Sequence, residues 1–429
     1  MKLIHNGAAG IDIGSEKLFV SIGDGKVVSF GTFTEDLGFL RDYLLSNSIN
    51  TVAMEATGIY WVNLHEVLTE AGIDVWLVDG KSTKQVPGRK TDVKDCQWIR
   101  QLHSYGLLSR CHVSTGDIRT LRDYQRLRED HLEMKAMSVN HMQRALVNMN
   151  VRLVQVISQI HGKSGLAIID AILAGKRDVN YLMSLCHKRI LNNKSEELNK
   201  ALRGRYTDIG LFSLGQARQT YKFYEGQIKN CDTEIEKLLK KINKGNKPPQ
   251  NPKKRKYLKG NAPDIAELGN HLLMVFAGKE ATDIPGITDY TWLQLYGELG
   301  SDLSKWKTEK HFTSWLGLAP GQNNSGKKKS SKNRGKPRVG QIFRVIAQGL
   351  INSKKIAIGA FGRRLRSRKG PKVAIKAMAR KLAVLYWRLM VKGKEYMEKG
   401  VEHYQMLLKK NKELALTRLA RELDVKVVY

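Results

Sequence analysis

Asp12 closes the apolar run "AAGIDI", Glu55 ends the apolar run "TVAME", and Asp92 and Asp95 lie three apart in "KTDVKDCQWIRQL". Residues i and i+3 share one face of a helix, so Asp92 and Asp95 can point at one spot. Converging carboxylates repel one another unless cations sit among them, and hard oxygen donors select Mg²⁺. Ions held that way polarise a scissile phosphate, activate an attacking oxygen and stabilise a leaving one. Glu16 and Asp79 are the acids that can replace one of the four. Each has a plainer role as well: Asp12 can cap a turn, and Asp92 can face the positive end of a helix. Glu55 is the hardest to assign in that way, because an unpaired carboxylate on an apolar strand is costly.

A second chemical stretch is "QNNSGKKKSSKNRGKPR", in which Ser325 precedes a glycine and is followed by Lys327, Lys328, Lys329, Lys332, Arg334, Lys336 and Arg338. Glycine permits close backbone approach and the cations neutralise phosphate. A serine hydroxyl there hydrogen-bonds a phosphate, or attacks one if its deprotonation is assisted. No histidine or acid lies nearby in sequence, so a solvated phosphate-binding loop is the plainer reading. A carboxylate cluster from elsewhere in the chain would supply the missing base. Ser330 and Ser331 are alternative hydroxyls in the same loop.

The elements that must position the acids read as strand, strand, strand, helix, strand, helix, strand over the first 80 residues. "AAGIDI", "KLFVSI" and "KVVSFGTF" alternate as strands with "GDGK" as a hairpin turn. "TEDLGFLRDYLLSNS" places Leu37, Leu40, Leu44 and Leu45 on one helical face behind a threonine cap. "TVAME" and "IDVWLV" are further strands, separated by the helix "WVNLHEVLTEAG". Three antiparallel strands followed by βαβ crossovers is the order of a ribonuclease-H-like α/β fold, in which the first and fourth strands are neighbours. Actin-like and sugar-kinase ATPases start similarly but need a second glycine-rich phosphate hairpin with its own aspartate near mid-chain. Here only "VDGKS" at 78 to 82 resembles one, and the pattern then turns helical.

From Val139 the residues Met142, Leu146, Met149, Leu153, Val156 and Ile160 follow steps of three and four, and a second seam runs from Tyr221 to Ile242. Both fit a coiled-coil pair, subunit-joining arms or a buried helical core. "NKGNKPPQNPKKRKYLKGNAP" (243–263) is a linker and a candidate phosphate-contacting strap. These signals divide the chain into an α/β catalytic domain (1–118), a helical coiled-coil region (119–242), the basic linker (243–263), a mainly α-helical C-terminal domain with the serine loop (264–395) and a helix or tail (396–429).

Charge names the partner class. The net charge is +32, yet residues 1 to 80 hold 4 Lys/Arg against 11 Asp/Glu, whereas Lys310 to Lys394 hold 23 Lys/Arg and no acid. Such a block binds polyanions by phosphate contact and counterion release, with Arg363, Arg364, Arg366, Arg368 and Lys369 as a second set of contacts. The four cysteines are far apart and form no C-x-x-C, which argues against a zinc module or a disulfide scaffold. No run of 18 apolar residues and no signal peptide is evident, so the expected location is the cytoplasm, with no membrane partner.

The stretches "GIDIGSEKLFVSI", "VAMEATGIYW", "GRKTDVKDCQWIRQL", "IPGIT", "FTSWLGLAPGQNNSGKK" and "GAFGRRLRSRKGPKVAIKAMARKLAVLYWRLM" together resemble the DEDD-type transposases of bacterial insertion sequences, the insertion sequence one-ten group, which includes pilin-gene inverting recombinases. The resemblance implies a resolvase-type, ribonuclease-H-like domain in which Asp12, Glu55, Asp92 and Asp95 match the D-E-D-D metal ligands. It also implies a helical coiled-coil middle and a C-terminal transposase domain whose loop serine, aligned with Ser325, is a nucleophile forming a phosphoserine intermediate. Its implied partners are Mg²⁺, double-stranded target and donor DNA, a structured guide RNA encoded by the element, and further copies of the chain as a dimer or tetramer in the bacterial nucleoid. Two other readings stand beside it: a resolvase-like endonuclease that uses activated water, and a non-catalytic RNA- and DNA-binding scaffold.

Overall fold

The computed structural model describes residues 3–23, 26–83, 92–114, 116–247, 260–320, 324–325, 328–329, 337–354 and 356–425. The chain forms two compact units, Met1–Val113 and Ser114–Tyr429.

In the first unit, β1 (Ala8–Ile13), β2 (Leu18–Ile22) and β3 (Lys26–Phe30) are antiparallel neighbours. Crossover helices α1 (Thr34–Ser46) and α2 (Trp61–Glu70) lead to β4 (Thr51–Glu55) and β5 (Asp74–Val78), each parallel to its neighbour. The order β3-β2-β1-β4-β5 is the mixed five-stranded sheet that the sequence predicts, and it is consistent with a ribonuclease-H-like start. Thr34 lies inside the first turn of α1 and is not its cap; the Phe33 N–H is satisfied by the Asp36 carboxylate at 3.1 Å. A short helix α3 (Gly80–Thr83) and the longer α4 (Asp92–Ser104) follow.

Alternation along the strands decides which face each residue covers. Ile11, Val52, Met54, Val75 and Leu77 pack with Leu40 and Leu44 of α1 and Leu64 and Leu68 of α2. Their alternates Ala53 and Val78 pack with Ile99 and Leu102 of α4 on the opposite face. α4 comes down on β1 at Gly10, where a Cβ would stand 2.3 Å from the Cys96 carbonyl oxygen and the Arg100 amide nitrogen. Only glycine lets two backbones meet that closely.

At the amino-terminal edge of the sheet, α4 is pinned through His103, which is fully buried. The Thr51 hydroxyl donates to the Asp74 carbonyl at 3.0 Å and accepts from His103 Nε2 at 2.9 Å, which leaves Nδ1 unprotonated and without a partner. His5 stacks on the ring at 4.6 Å and Trp76 tilts against it at 5.2 Å. Burial, with a smaller contribution from His5 and against the pull of Asp74, holds the imidazole down at about 4. A base depressed below its unfolded value stabilises the fold fully above about pH 6.5 and loses that stability as pH falls towards about 4. The expected loss is about 3 kcal/mol between those limits. Denaturant unfolding from pH 7 to pH 4 checks it: wild type should lose that amount relative to His103→Gln, and parallel curves would disprove it.

The second unit is helical. α5 (Gly116–Asn148) and α10 (Asp208–Ile242) run antiparallel, as the contacts of Arg128 with Asp232 and of Lys135 with the Tyr221 ring require. Helices of 33 and 35 residues are each about 50 Å long. Between them α6 (Leu153–Val156), α7 (Lys163–Leu173), α8 (Val179–Ser184) and α9 (Lys188–Leu202) close a separate small core on Met142, Leu146, Leu214 and Tyr221. The seam expected from Val139 to Ile160 is therefore not one helix. α5 stops at Asn148, and Asn150 takes a left-handed backbone at φ 56° that turns Val151 and Leu153 into this core. The seam from Tyr221 to Ile242 does lie within α10.

At the other end of the pair, Leu121, Ile235, Leu238 and Leu239 join a larger core with the C-terminal helices. These are α11 (Leu268–Val275), α12 (Asp289–Leu299), α13 (Glu309–Trp315), α14 (Arg338–Leu350), α15 (Ala357–Lys369) and α16 (Pro371–Lys392). Two short strands, β6 (Asn324–Ser325) and β7 (Lys328–Lys329), lie between α13 and α14, and α17 (Lys394–Glu422) follows α16 as a single helix. Most of the linker, 248–259, lies outside the described residues. Its exit is fixed: Arg128 donates to the Asn261 carbonyl at 3.0 Å, and the Asp264 N–H donates to Asp232 at 3.0 Å. Among the described residues no helix is long and apolar enough to cross a membrane.

Candidate active site

Strand parity and register place two of the four acids side by side. Gly10 faces α4, so Asp12, two residues on, faces it too. Ala53 packs under α4, so Glu55 lies on the same face of β4. β1 and β4 are paired up to Ile11 opposite Met54, and the next step brings Asp12 level with Glu55 at the carboxyl ends of two parallel strands. That edge of an open parallel sheet is where ligands commonly bind.

α4 brings the other two. Asp92 and Asp95 are both in its first turn, Asp92 exposed and Asp95 half-buried. Cys96, the next residue, is fully buried, and its thiol donates to the Val93 carbonyl at 3.1 Å. Burial pushes this thiol up to about 11, with Asp12 adding to the shift and Asp95 contributing less. Asp12 and Asp95 thus both raise one thiol, in keeping with the close approach of α4 to β1 at Gly10. Glu16 is exposed after β1, and Asp79 is exposed after β5, where it raises the Cys111 thiol secondarily to burial.

Glu55 is engaged differently. Its Oε2 accepts from the Thr83 hydroxyl at 2.9 Å, and its Oε1 lies over Gly80. By donor chemistry the acids suit a hard divalent cation. Among the described residues, however, no three His, Cys, Asp or Glu side chains are gathered closely enough to hold a metal, so the acids share an edge without closing into a ligand shell.

A DEDD-type transposase model matches residues 9–151, and a model described as "Transposase IS116/IS110/IS902 family" matches residues 279–360, together just over half of the chain. The chain belongs to the IS116/IS110/IS902 family of transposases. A comparison with curated proteins finds no match. The first model spans Asp12, Glu55, Asp92 and Asp95, and the second spans the serine loop. Membership makes the protein an enzyme of DNA transposition and recombination, with DNA as its partner.

In this transposase Ser325 ends β6 and pairs with Lys328 of β7, so the expected irregular loop contains a short antiparallel ladder. Gly326, Lys327, Ser330, Ser331, Lys332, Arg334 and Lys336 lie outside the described residues. Arg338 starts α14 and is ion-paired with Glu129 and, at 3.5 Å, with Glu298, two acids that sequence distance concealed. Arg126 makes a forked bond to the same Glu298. On α15, Arg364, Arg366, Arg368 and Lys369 are exposed; Arg366 donates to Asn352 at 3.1 Å, and the half-buried Arg363 donates to the Ser353 carbonyl. Sequence reading missed Thr83 and Gly80. A lone threonine and glycine carry no periodic signal, and "VDGKS" drew attention only as an incomplete phosphate hairpin.

Proposed function

We propose that the transposase cleaves and rejoins DNA through a serine-linked intermediate at a divalent-metal site. Asp12, Glu55, Asp92 and Asp95 would hold the metal, Mg²⁺ being the ion their oxygen donors favour. When bound, the metal neutralises charge on the scissile phosphate. The hydroxyl of Ser325 forms a bond to phosphorus as the bond to one deoxyribose oxygen breaks, and the proton that serine gives up balances the one that the leaving deoxyribose hydroxyl takes. The resulting phosphoserine keeps the ester, so an incoming deoxyribose hydroxyl can attack it, expel serine and rejoin the strand without an external energy source.

The observation that carries this reading is the parallel register of β1 on β4, paired up to Ile11 opposite Met54, whose next step brings Asp12 and Glu55 to neighbouring strand ends on the face covered by the helix whose first turn holds Asp92 and Asp95. The exposed cations of α15 and the lysine-rich loop serve as phosphate contacts. A net charge of +32 suits more than one nucleic acid, and in this reading an element-encoded guide RNA pairs with target and donor DNA while an oligomer of the chain holds them. Purifying the full chain from cells carrying the element, then sequencing bound nucleic acid, tests the RNA component. One structured RNA with segments complementary to both DNA sites is expected, and random cellular RNA would argue against guidance.

A further inference from the structure

The Glu55 carboxylate is held by residues outside the four acids. Thr83 is buried, 8% exposed, and its Oγ1 stands 2.9 Å from Glu55 Oε2. The same hydroxyl is 3.0 Å from the Gly80 carbonyl, and of the two acceptors the charged carboxylate is the stronger. On the other side of the carboxylate, Gly80 leaves the space that Oε1 fills: a Cβ there would lie 2.2 Å away. The Thr83 carbonyl in turn accepts from the Trp98 indole at 2.9 Å. Trp98 is on α4, three residues after Asp95. Thr83 is therefore bonded on one side, through its hydroxyl, to the end of β4 and on the other, through its carbonyl, to the helix that carries the other two acids.

We propose that Thr83 is a positioning residue for Glu55, and that Gly80 is required at its place to keep the carboxylate in that pose. A glutamate at a strand end has three freely turning side-chain bonds. A single buried hydroxyl donor fixes one oxygen, and the missing side chain at Gly80 seats the other, so the carboxylate is held in one pose. Ligating carboxylates are commonly hydrogen-bonded in this way, and loss of the outer partner typically weakens metal binding 10- to 100-fold. The inference rests on the reading of Glu55 as a metal ligand, and the experiment separates the two.

Mn²⁺ binding to the metal-free full chain is read directly by electron paramagnetic resonance of the free ion, without any reaction. Thr83→Val should raise the dissociation constant roughly 10- to 100-fold, while Thr83→Ser, which keeps the hydroxyl, should stay within about threefold. Gly80→Ala should weaken binding with the hydroxyl still present, because it displaces Oε1, and this gives a second test if the valine variant folds poorly. Wild-type affinity in Thr83→Val, with binding lost in Glu55→Gln, overturns the positioning role and leaves the metal reading intact. Equal losses in the valine and serine variants indicate packing alone and also overturn it. Wild-type affinity in Glu55→Gln overturns both.

Discussion

Glu55→Gln is expected to lower DNA strand cleavage by roughly 10³-fold, about 4 kcal/mol of transition-state stabilisation, with duplex binding and thermal stability near wild type. The amide has the shape of the carboxylate and still accepts from Thr83, so the end of β4 keeps its structure. What it removes is one negative charge from the edge where Asp12 stands level with Glu55. Asp12→Asn and Asp95→Asn should behave alike, because one acid on β1 and the other in the first turn of α4 both raise the Cys96 thiol between them. Cleavage assays on a duplex at saturating divalent metal, beside filter binding of the same duplex, distinguish this from a structural role. Activity within a few-fold of wild type in all three variants would mean that the acids serve the fold and not the chemistry.

The second large effect is on stability. Arg128 and Asp232 are 3% and 6% exposed, and Arg128 Nε donates to Asp232 Oδ1 at 2.5 Å. Asp232 also accepts from the Asp264 N–H, and Arg128 lies over the Tyr290 ring at 5.4 Å. The pair thus ties α5 to α10 and both to the chain that leaves the linker. Asp232→Ala strands a buried guanidinium and a backbone N–H, and should cost about 3 to 5 kcal/mol in denaturant unfolding of the second unit. Replacing both partners, as in Arg128→Met with Asp232→Leu, should recover much of that loss, since the penalty lies in the unpaired charge. A loss under about 1 kcal/mol in the single variant would show that water reaches the site.

The sheet was legible in the sequence because β-strand alternation is local: "AAGIDI" and "TVAME" announce both their strands and the acids that end them. Register was legible only through the fold class, which makes the first and fourth strands neighbours. The break at Asn150 was not, because Leu153, Val156 and Ile160 keep a helical spacing while packing from a new direction in the small core. Heptad spacing reports burial, and burial does not require one continuous helix. The surroundings of the candidate site were the least legible. Thr83 lies 28 residues from Glu55, and Glu129 lies more than 200 residues before its partner Arg338. Such pairs follow from how elements pack, and no periodicity along the chain records them. The cationic block from Lys310 to Lys394 was plain from composition, yet Arg338 within it is taken up by two acids. Charge patterning identifies a class of partner before it identifies individual contacts.

In the proposed function a hydroxyl in the cationic half of the chain exchanges its ester with DNA and depends on acids from the first hundred residues. Incubating the full chain, its bound RNA and divalent metal with a nicked suicide duplex, then denaturing and mapping any DNA-linked peptide by mass spectrometry, tests this most directly. A peptide esterified at Ser325 is expected in wild type, Ser330→Ala and Ser331→Ala, and none in Ser325→Ala or Glu55→Gln. Cleaved DNA with free ends and no attached protein, or an adduct that survives in Ser325→Ala, would contradict it.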